Sequence, residues 1–415
     1  MSKNIYIKRK LEDTILQYLD RPEVIAVVGP RQAGKTTLLY HIFEQVKDRA
    51  IFLSFEDQKI LNLFTQNIDE FIELYVTPYK YTFVDEFYYA KQGGKSLKYI
   101  FDKTKAKFII SGSSNVDLTI EAVKYLVGRI FVFSLFPLDF DEILAFKDPN
   151  LFKLYKKSKI NLKGFSHVSG KADSLEILAD IKKYYQDYLL YGGYPRIILS
   201  DAKKEKEIVL RNIYNTYFLR EVRDILGLID DYKFSQMIKV LALQVGNLID
   251  YGEISNMSGL NFRTVKSYLN FLEKTFICRL VRPYFKNKRT EIVKNPKVFF
   301  FDNGLRNLIV DDFRKIEDRP DGGAVLENGL AMQLIKQELN FNFWRNKQKS
   351  EIDFVVNLPE AKQIGLEVKK SIKSSDLNSK SARDFMAAHK DIPLFFGVYD
   401  IKNNLTDRTF FTAMI

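Results

Sequence analysis

Between Val24 and Leu135 the chain alternates short apolar runs with longer amphipathic stretches: VIAVV, AIFLSF, YTFVD, KFIISG and RIFVFSL. Runs of this length belong to strands, and the spacing between them suits crossover helices, so the pattern predicts an α/β core with a parallel sheet. Residues 175–245 lack strand alternation and carry helical spacing, as in IYNTYFLREVRDIL, interrupted by Gly192-Gly193-Tyr194-Pro195. Residues 250–310 read as a helix, a turn at Gly259, a second helix and a basic return segment. From Gly322 onward the order is helix, strand, strand, helix, strand. The Lys-rich stretch from about Ala145 to Lys171, marked by Pro, Gly and Ser, is expected to be an exposed connection.

The first apolar run leads into a segment with chemistry. Gly29-Pro30-Arg31-Gln32-Ala33-Gly34-Lys35-Thr36-Thr37 fits G-x-x-x-x-G-K-[ST] and opens the helical pattern TTLLYHIFEQV. Glycines let the backbone curl so that its N–H groups face phosphates, the helix N-terminus adds the positive end of its dipole, and Lys35 reaches the terminal phosphates. Thr36 would hold magnesium. Downstream, YTFVDEF puts Asp85 at a strand end with Glu86 beside it, where one carboxylate orients the metal ion and the next polarises water. ATP with Mg2+ is the implied ligand. The strand KFIISGSSN ends in small polar residues, so Ser111 or Ser113 would sense the terminal phosphate, or these residues simply close a strand. Arg129, leading RIFVFSL, has two readings: a phosphate contact in its own or a neighbouring subunit of a homo-oligomer, or a structural salt bridge.

Composition changes this picture only in places. A chain of 415 residues exceeds one ordinary core, which predicts several domains. Lys and Arg outnumber Asp and Glu by 64 to 52, a net charge of +12 that permits contact with nucleic acid without identifying it. One cysteine, Cys278, excludes an internal disulfide framework and fits a reducing, cytoplasmic address. The longest apolar runs are strand-length, so membrane insertion is not expected. The histidines, His41, His167 and His389, are scattered and read as packing or surface residues.

In order, GPRQAGKTT, FVDEF, ISGSSN, GRIFVFSLFPLDFDE and YLLYGGYPR resemble the archaeal and bacterial ATPases of the AAA+ superfamily joined to a DUF4143 region. The resemblance runs over most of the chain. It implies an AAA+ P-loop core over residues 1–150, a helical lid over 151–235, a winged-helix domain over 236–315 and a restriction-endonuclease-like α/β domain over 316–415. It also implies that Gly193, Tyr194 and Pro195 approach the adenine, although Gly192-Gly193 before a proline equally makes a helix-breaking turn.

Two further sets follow. In the second helix of the helix-turn-helix order, Arg263, Lys266 and Asn270 fall on one face that would enter a major groove, with Lys286, Lys288 and Arg289 on the wing. The same basic face also suits an oligomer contact. Near the C-terminus, Asp353 in one strand and Glu367-x-Lys369 in the next match the D…(D/E)-x-K arrangement of restriction-like nucleases, with Glu327 from the preceding helix. Asp353 and Glu367 would share magnesium while Lys369 orients the nucleophile or offsets charge. The sequence thus supports an ATP-hydrolysing, DNA-associated protein whose nucleotide state controls a nuclease-like domain. Its alternatives are a nucleotide switch or scaffold that binds protein or DNA without cutting, and a DNA-binding ATPase without cleavage.

Overall fold

The computed structural model describes residues 5–112, 124–162, 175–215, 230–285, 287, 289, 291, 294–400 and 406–415. Contacts divide the chain into two compact units, Met1–Leu138 with Lys274–Phe276, and Asp139–Glu273 with Ile277–Ile415.

In the first unit, β1 (Val24–Val28), β2 (Ala50–Ser54), β3 (Tyr81–Asp85), β4 (Lys107–Gly112) and β5 (Ile130–Ser134) form one sheet. The order is β2-β3-β4-β1-β5 and every neighbouring pair is parallel. All five apolar runs of the sequence became strands. β1, β3 and β4 are buried throughout, which is why they lack polar alternation, whereas edge strand β5 is half-exposed. The helix Lys35–Val46 buries Leu38, Leu39 and Ile42 against Ile25, Val27, Phe83 and Ile109. Each such side chain contributes about 1.5–3 kcal/mol on leaving water. Because β1 pairs with β4 and β5 rather than with β2, its carboxyl end opens at a reversal of strand order, where ligands of open α/β sheets bind.

The second unit begins with a departure from expectation. Up to Ser158 the Lys-rich stretch after Ala145 is largely helical, in Phe140–Lys147 and Pro149–Ser158. Asp148 accepts the Leu151 N–H at 2.9 Å and Pro149 fills the first helical turn, so the apparent breakers are a helix start. Buried Tyr155 anchors that helix, its hydroxyl 2.9 Å from Asp141 Oδ1 and 2.8 Å from the Ala413 carbonyl. Residues 163–174, with His167, and residues 216–229, which include most of the segment IYNTYFLREVRDIL, lie outside the described residues.

Further along, the helices Asp231–Leu243, Tyr251–Ser258 and Phe262–Lys274 precede an antiparallel pair, β6 (Cys278–Val281) and β7 (Lys297–Phe300). Gly259, at φ 69°, turns the chain between the last two helices. The C-terminal sheet contains β8 (Phe341–Arg345), β9 (Glu351–Asn357), β10 (Gln363–Lys369), β11 (Leu394–Val398) and β12 (Thr409–Phe411), in the order β12-β11-β10-β9-β8. The β8–β9 and β9–β10 pairs are antiparallel, while β10–β11 and β11–β12 are parallel. The sequence pattern gave this region three strands; short β8 and the terminal β12 escaped it. Among the described residues no helix is long and apolar enough to cross a membrane.

Candidate functional site

Directly after β1, the backbone turns through Gly29 and two left-handed residues, Gln32 at φ 58° and Gly34 at φ 96°. A Cβ at Gly29 would lie 2.1 Å from the Leu135 carbonyl oxygen, so only glycine lets β1 leave the sheet this close to the end of β5. The helix Lys35–Val46 starts from Gly34 with no side-chain cap. Its first-turn amides therefore face the loop, where an anion is the natural partner. Lys35 is 5% exposed and its Nζ donates to the carbonyls of Gly29 and Pro30, both at 2.9 Å. That folds the ammonium over the loop. Thr36 and Thr37 are exposed.

The far wall of this crevice comes from β3 and β4. Ser111 donates its hydroxyl proton to Asp85 Oδ1 and accepts the Glu86 N–H at 3.3 Å. Glu86 is left-handed at φ 53°, which turns its side chain away from the strand direction, and its Oε2 is buried without a hydrogen-bond partner. Burial, aided by Asp85, raises the Glu86 pKa above the ordinary carboxylate value, while Lys35 and Arg31 oppose the shift. A buried acceptor left unpaired costs about 1–3 kcal/mol, so this oxygen is poised for a water or ligand donor.

Other nucleotide candidates are placed as follows. Arg31 donates to the Tyr88 hydroxyl at 3.3 Å, linking the loop to the segment after β3. Arg129 is ion-paired with Asp102 and lies 5.4 Å from the Phe101 ring centre. Ser113 lies outside the described residues. Pro195 opens the short helix Pro195–Ile198 of the second unit, and the glycines before it pack on one carboxylate. Gly193 N–H donates to Asp302 Oδ2 at 2.8 Å, and a Cβ at Gly192 would fall 2.0 Å from Asp302 Oδ1. Asp302 in turn caps the helix Asn303–Val310 through the Leu305 N–H at 3.0 Å. The glycines thus make a helix-ending turn seated on a buried carboxylate.

On the helix Phe262–Lys274, Val265, Leu269 and Leu272 are buried while Arg263, Lys266 and Asn270 are exposed together on the outer face. Lys266 Nζ sits 4.5 Å from the Phe262 ring centre and 5.3 Å from that of Tyr251. Tyr268 is half-buried, edge-on to Phe234. Arg289 is exposed; Lys286 and Lys288 lie outside the described residues.

The C-terminal acids are brought together. Asp353 Oδ2 accepts the Val368 N–H at 2.7 Å, Glu367 Oε2 accepts the Asp353 N–H at 3.3 Å, and Lys369 Nζ donates to Glu367 Oε1 at 2.7 Å. Into this group β7 delivers Lys297, whose Nζ lies 3.0 Å from Glu327 Oε1 and 2.6 Å from Glu351 Oε1. The second Glu351 oxygen pairs with Arg345 at 3.1 Å. Burial, with Asp353 and Glu351 adding, pushes Glu327 up to about 8 against the pull of Lys297. Burial and Asp353 push Glu367 up to about 8 as well, against Lys369. Burial disfavours the charge on Lys297, but Glu327, Asp353 and Glu351 together outweigh it and raise its pKa. This arrangement does not fit a magnesium ion shared by Asp353 and Glu367: the Lys369 ammonium already pairs with Glu367, and Asp353 accepts a backbone N–H. Among the described residues no group of three or more His, Cys, Asp or Glu is arranged to hold a metal ion.

Sequence reasoning missed Lys297 and Glu351, and it missed Arg9. The Arg9 guanidinium, 5% exposed, donates to the Ala33 carbonyl of the loop at 2.8 Å and to the Phe136 carbonyl at 2.6 Å. The one signal for Glu351 is its position two residues before Asp353, on the same face of β9. His41 bonds Glu12 at 3.1 Å and His389 packs against Trp344 and Phe385, so both serve packing.

Comparison with known proteins agrees with the loop. Residues 21–144 match the AAA domain (AAA_14), residues 182–315 a domain of unknown function, DUF8612, and residues 322–412 another, DUF4143. An uncharacterized protein of Haemophilus influenzae is 24% identical over 372 residues, covering 86% of this chain and 84% of its own length. An uncharacterized protein of Methanocaldococcus jannaschii is also 24% identical, over 81% of this chain and 72% of its own. Among solved structures, the Walker-type ATPase of Pyrococcus abyssi covers 74% of this chain and 97% of its own at 15% identity, with a TM-score of 0.46. The domain match, the parallel sheet and the loop geometry make residues 21–144 an AAA-type P-loop ATPase domain.

Proposed function

We propose that the P-loop domain binds ATP with magnesium and hydrolyses it, and that the protein works on DNA through the face bearing Arg263, Lys266 and Asn270. The observation that supports hydrolysis is the buried, unpaired Glu86 oxygen beside Asp85, across from Lys35. In this reading the loop amides and Lys35 grip the β- and γ-phosphates. Thr36 and Asp85 would hold magnesium, which would supply positive charge against that developing on the phosphates. Glu86 orients and deprotonates the attacking water, Ser111 keeps Asp85 and Glu86 in register, and Arg129, exchanging Asp102 for a phosphate, would act in its own or a neighbouring subunit.

The three helices, the Gly259 turn and the β6–β7 hairpin have the order of a winged helix, with Arg263, Lys266 and Asn270 on the groove-facing side and Arg289 near the hairpin tip. The mixed C-terminal sheet flanked by the helices Gly322–Lys336 and Lys380–Ala388 supports a restriction-endonuclease-like fold. Of the readings with and without DNA cleavage, the one without has a specific observation behind it, the occupation of the acidic centre by Lys297.

The test is to incubate the full chain with ATP, magnesium and linear, branched and single-stranded DNA, following phosphate release and strand breaks together. Magnesium-dependent phosphate release, salt-sensitive DNA binding lost in Arg263→Ala/Lys266→Ala, and intact strands are expected. Absence of turnover, or DNA binding indifferent to that double substitution and to salt, would overturn the proposal.

A further inference from the structure

The charges of the C-terminal centre come from four directions. Glu327 projects from a helix, Glu351 and Asp353 from β9, Glu367 and Lys369 from β10, and Lys297 from β7, a strand of the two-stranded hairpin rather than of the C-terminal sheet. Lys297 is 1% exposed, which is unusual for a lysine and is tolerated only where counter-charges meet it. We propose that the Lys297 ammonium is the resident cation of this centre, standing where a divalent metal ion would sit among Glu327, Glu351 and Asp353, so that the folded protein binds no magnesium there.

Several contacts fix the lysine rather than letting it swing in. Its backbone bridges to Leu248, and the neighbouring Val298 carbonyl accepts the Gly246 N–H at 3.0 Å. Gly246, at φ 75°, leaves room for Glu327: a Cβ there would lie 2.7 Å from Glu327 Oε2. The helix carboxylate and β7 are therefore seated against one turn. Lys297 Nζ also lies 5.3 Å from the Phe343 ring centre, a face that favours a cation.

Several of the other oxygens are engaged as well. Glu351 reaches Arg345, Glu367 reaches Lys369 and the Asp353 N–H, and Asp353 reaches the Val368 N–H. A metal ion would have to break charge-assisted hydrogen bonds and then lie beside an ammonium group. The pattern that in sequence reads as a nuclease centre is, in the fold, a closed ion-pair joint between the hairpin and the C-terminal sheet. This inference is independent of ATP hydrolysis.

The test is titration of the nucleotide-free full chain with Mn2+, read by electron paramagnetic resonance of the free ion. It is done for the native sequence, Lys297→Met and Lys297→Gln, each with and without Asp353→Asn, and with circular dichroism melts to confirm folding. The native chain should bind Mn2+ identically with and without Asp353→Asn. At least one folded Lys297 variant should gain a site at least tenfold tighter, abolished by adding Asp353→Asn. Native Mn2+ binding that falls with Asp353→Asn, or folded Lys297 variants that gain no site, would overturn the proposal. If neither lysine variant folds, the native pair decides alone, equal binding supporting the proposal and loss contradicting it.

Discussion

The P-loop crevice and the C-terminal centre both gather lysine and carboxylate at strand ends, yet they are left in opposite states. In the crevice Lys35 rests on two backbone carbonyls, the helix start lacks a side-chain cap, and Glu86 keeps an unpaired buried oxygen. In the C-terminal centre each carboxylate already has an ammonium, a guanidinium or an amide. Unsatisfied polar groups that persist in a fold mark a place prepared for a ligand, whereas a satisfied cluster marks a joint. Residue types alone do not distinguish the two; saturation does.

The comparison can be broken most severely at the joint. Lys297→Met removes the cation from buried carboxylates and should cost about 3–5 kcal/mol of stability, read by urea unfolding; a loss well under 1 kcal/mol would mean the ion pairs are ornamental. At the crevice, Glu86→Gln should leave ATP binding intact while slowing phosphate release roughly 100- to 10,000-fold, the usual range for a positioned general base. Unchanged turnover would remove Glu86 from the chemistry. Arg9→Ala strips a charged donor from the Ala33 and Phe136 carbonyls and should loosen the loop, lowering ATP affinity by about 3- to 10-fold with turnover of bound ATP less affected.

The smallest effect concerns pH. Glu327 and Glu367 have folded pKa values raised to about 8, above those of an unfolded carboxylate. A raised pKa favours the folded state while the group is protonated, so this contribution is complete below about pH 4 and is lost as pH climbs through about 8. The melting temperature should therefore fall between pH 6 and pH 9. Glu327→Gln/Glu367→Gln should flatten that slope; an unaltered slope would assign it to other groups.

What was legible in sequence was what neighbouring residues decide. The five apolar runs became the strands of the parallel sheet, and the loop could be read because its glycines, lysine and threonines are contiguous. The helix Pro149–Ser158 was misread because Pro, Asp and Lys are breakers or solvated residues on average, while their meaning here depends on Asp148 standing one place before Pro149. Lys297 was invisible for a different reason. Within VKNPKVFF it looks like any lysine of a basic segment, and only packing against Glu327 and Glu351, both distant in sequence, buries it. Arg9 escaped likewise, and the left-handed backbone of Glu86 follows from its place at the end of β3 rather than from its residue type.

The claim on which the rest depends is that the curled segment from Gly29 to Thr37 grips a triphosphate. Equilibrium binding of ATP with magnesium, followed by steady-state phosphate release, should be measured on the native chain and on Lys35→Ala. The account predicts that the variant keeps its fold, loses at least tenfold in affinity and shows no turnover above background. Native-like affinity and turnover in a folded Lys35→Ala protein would contradict it.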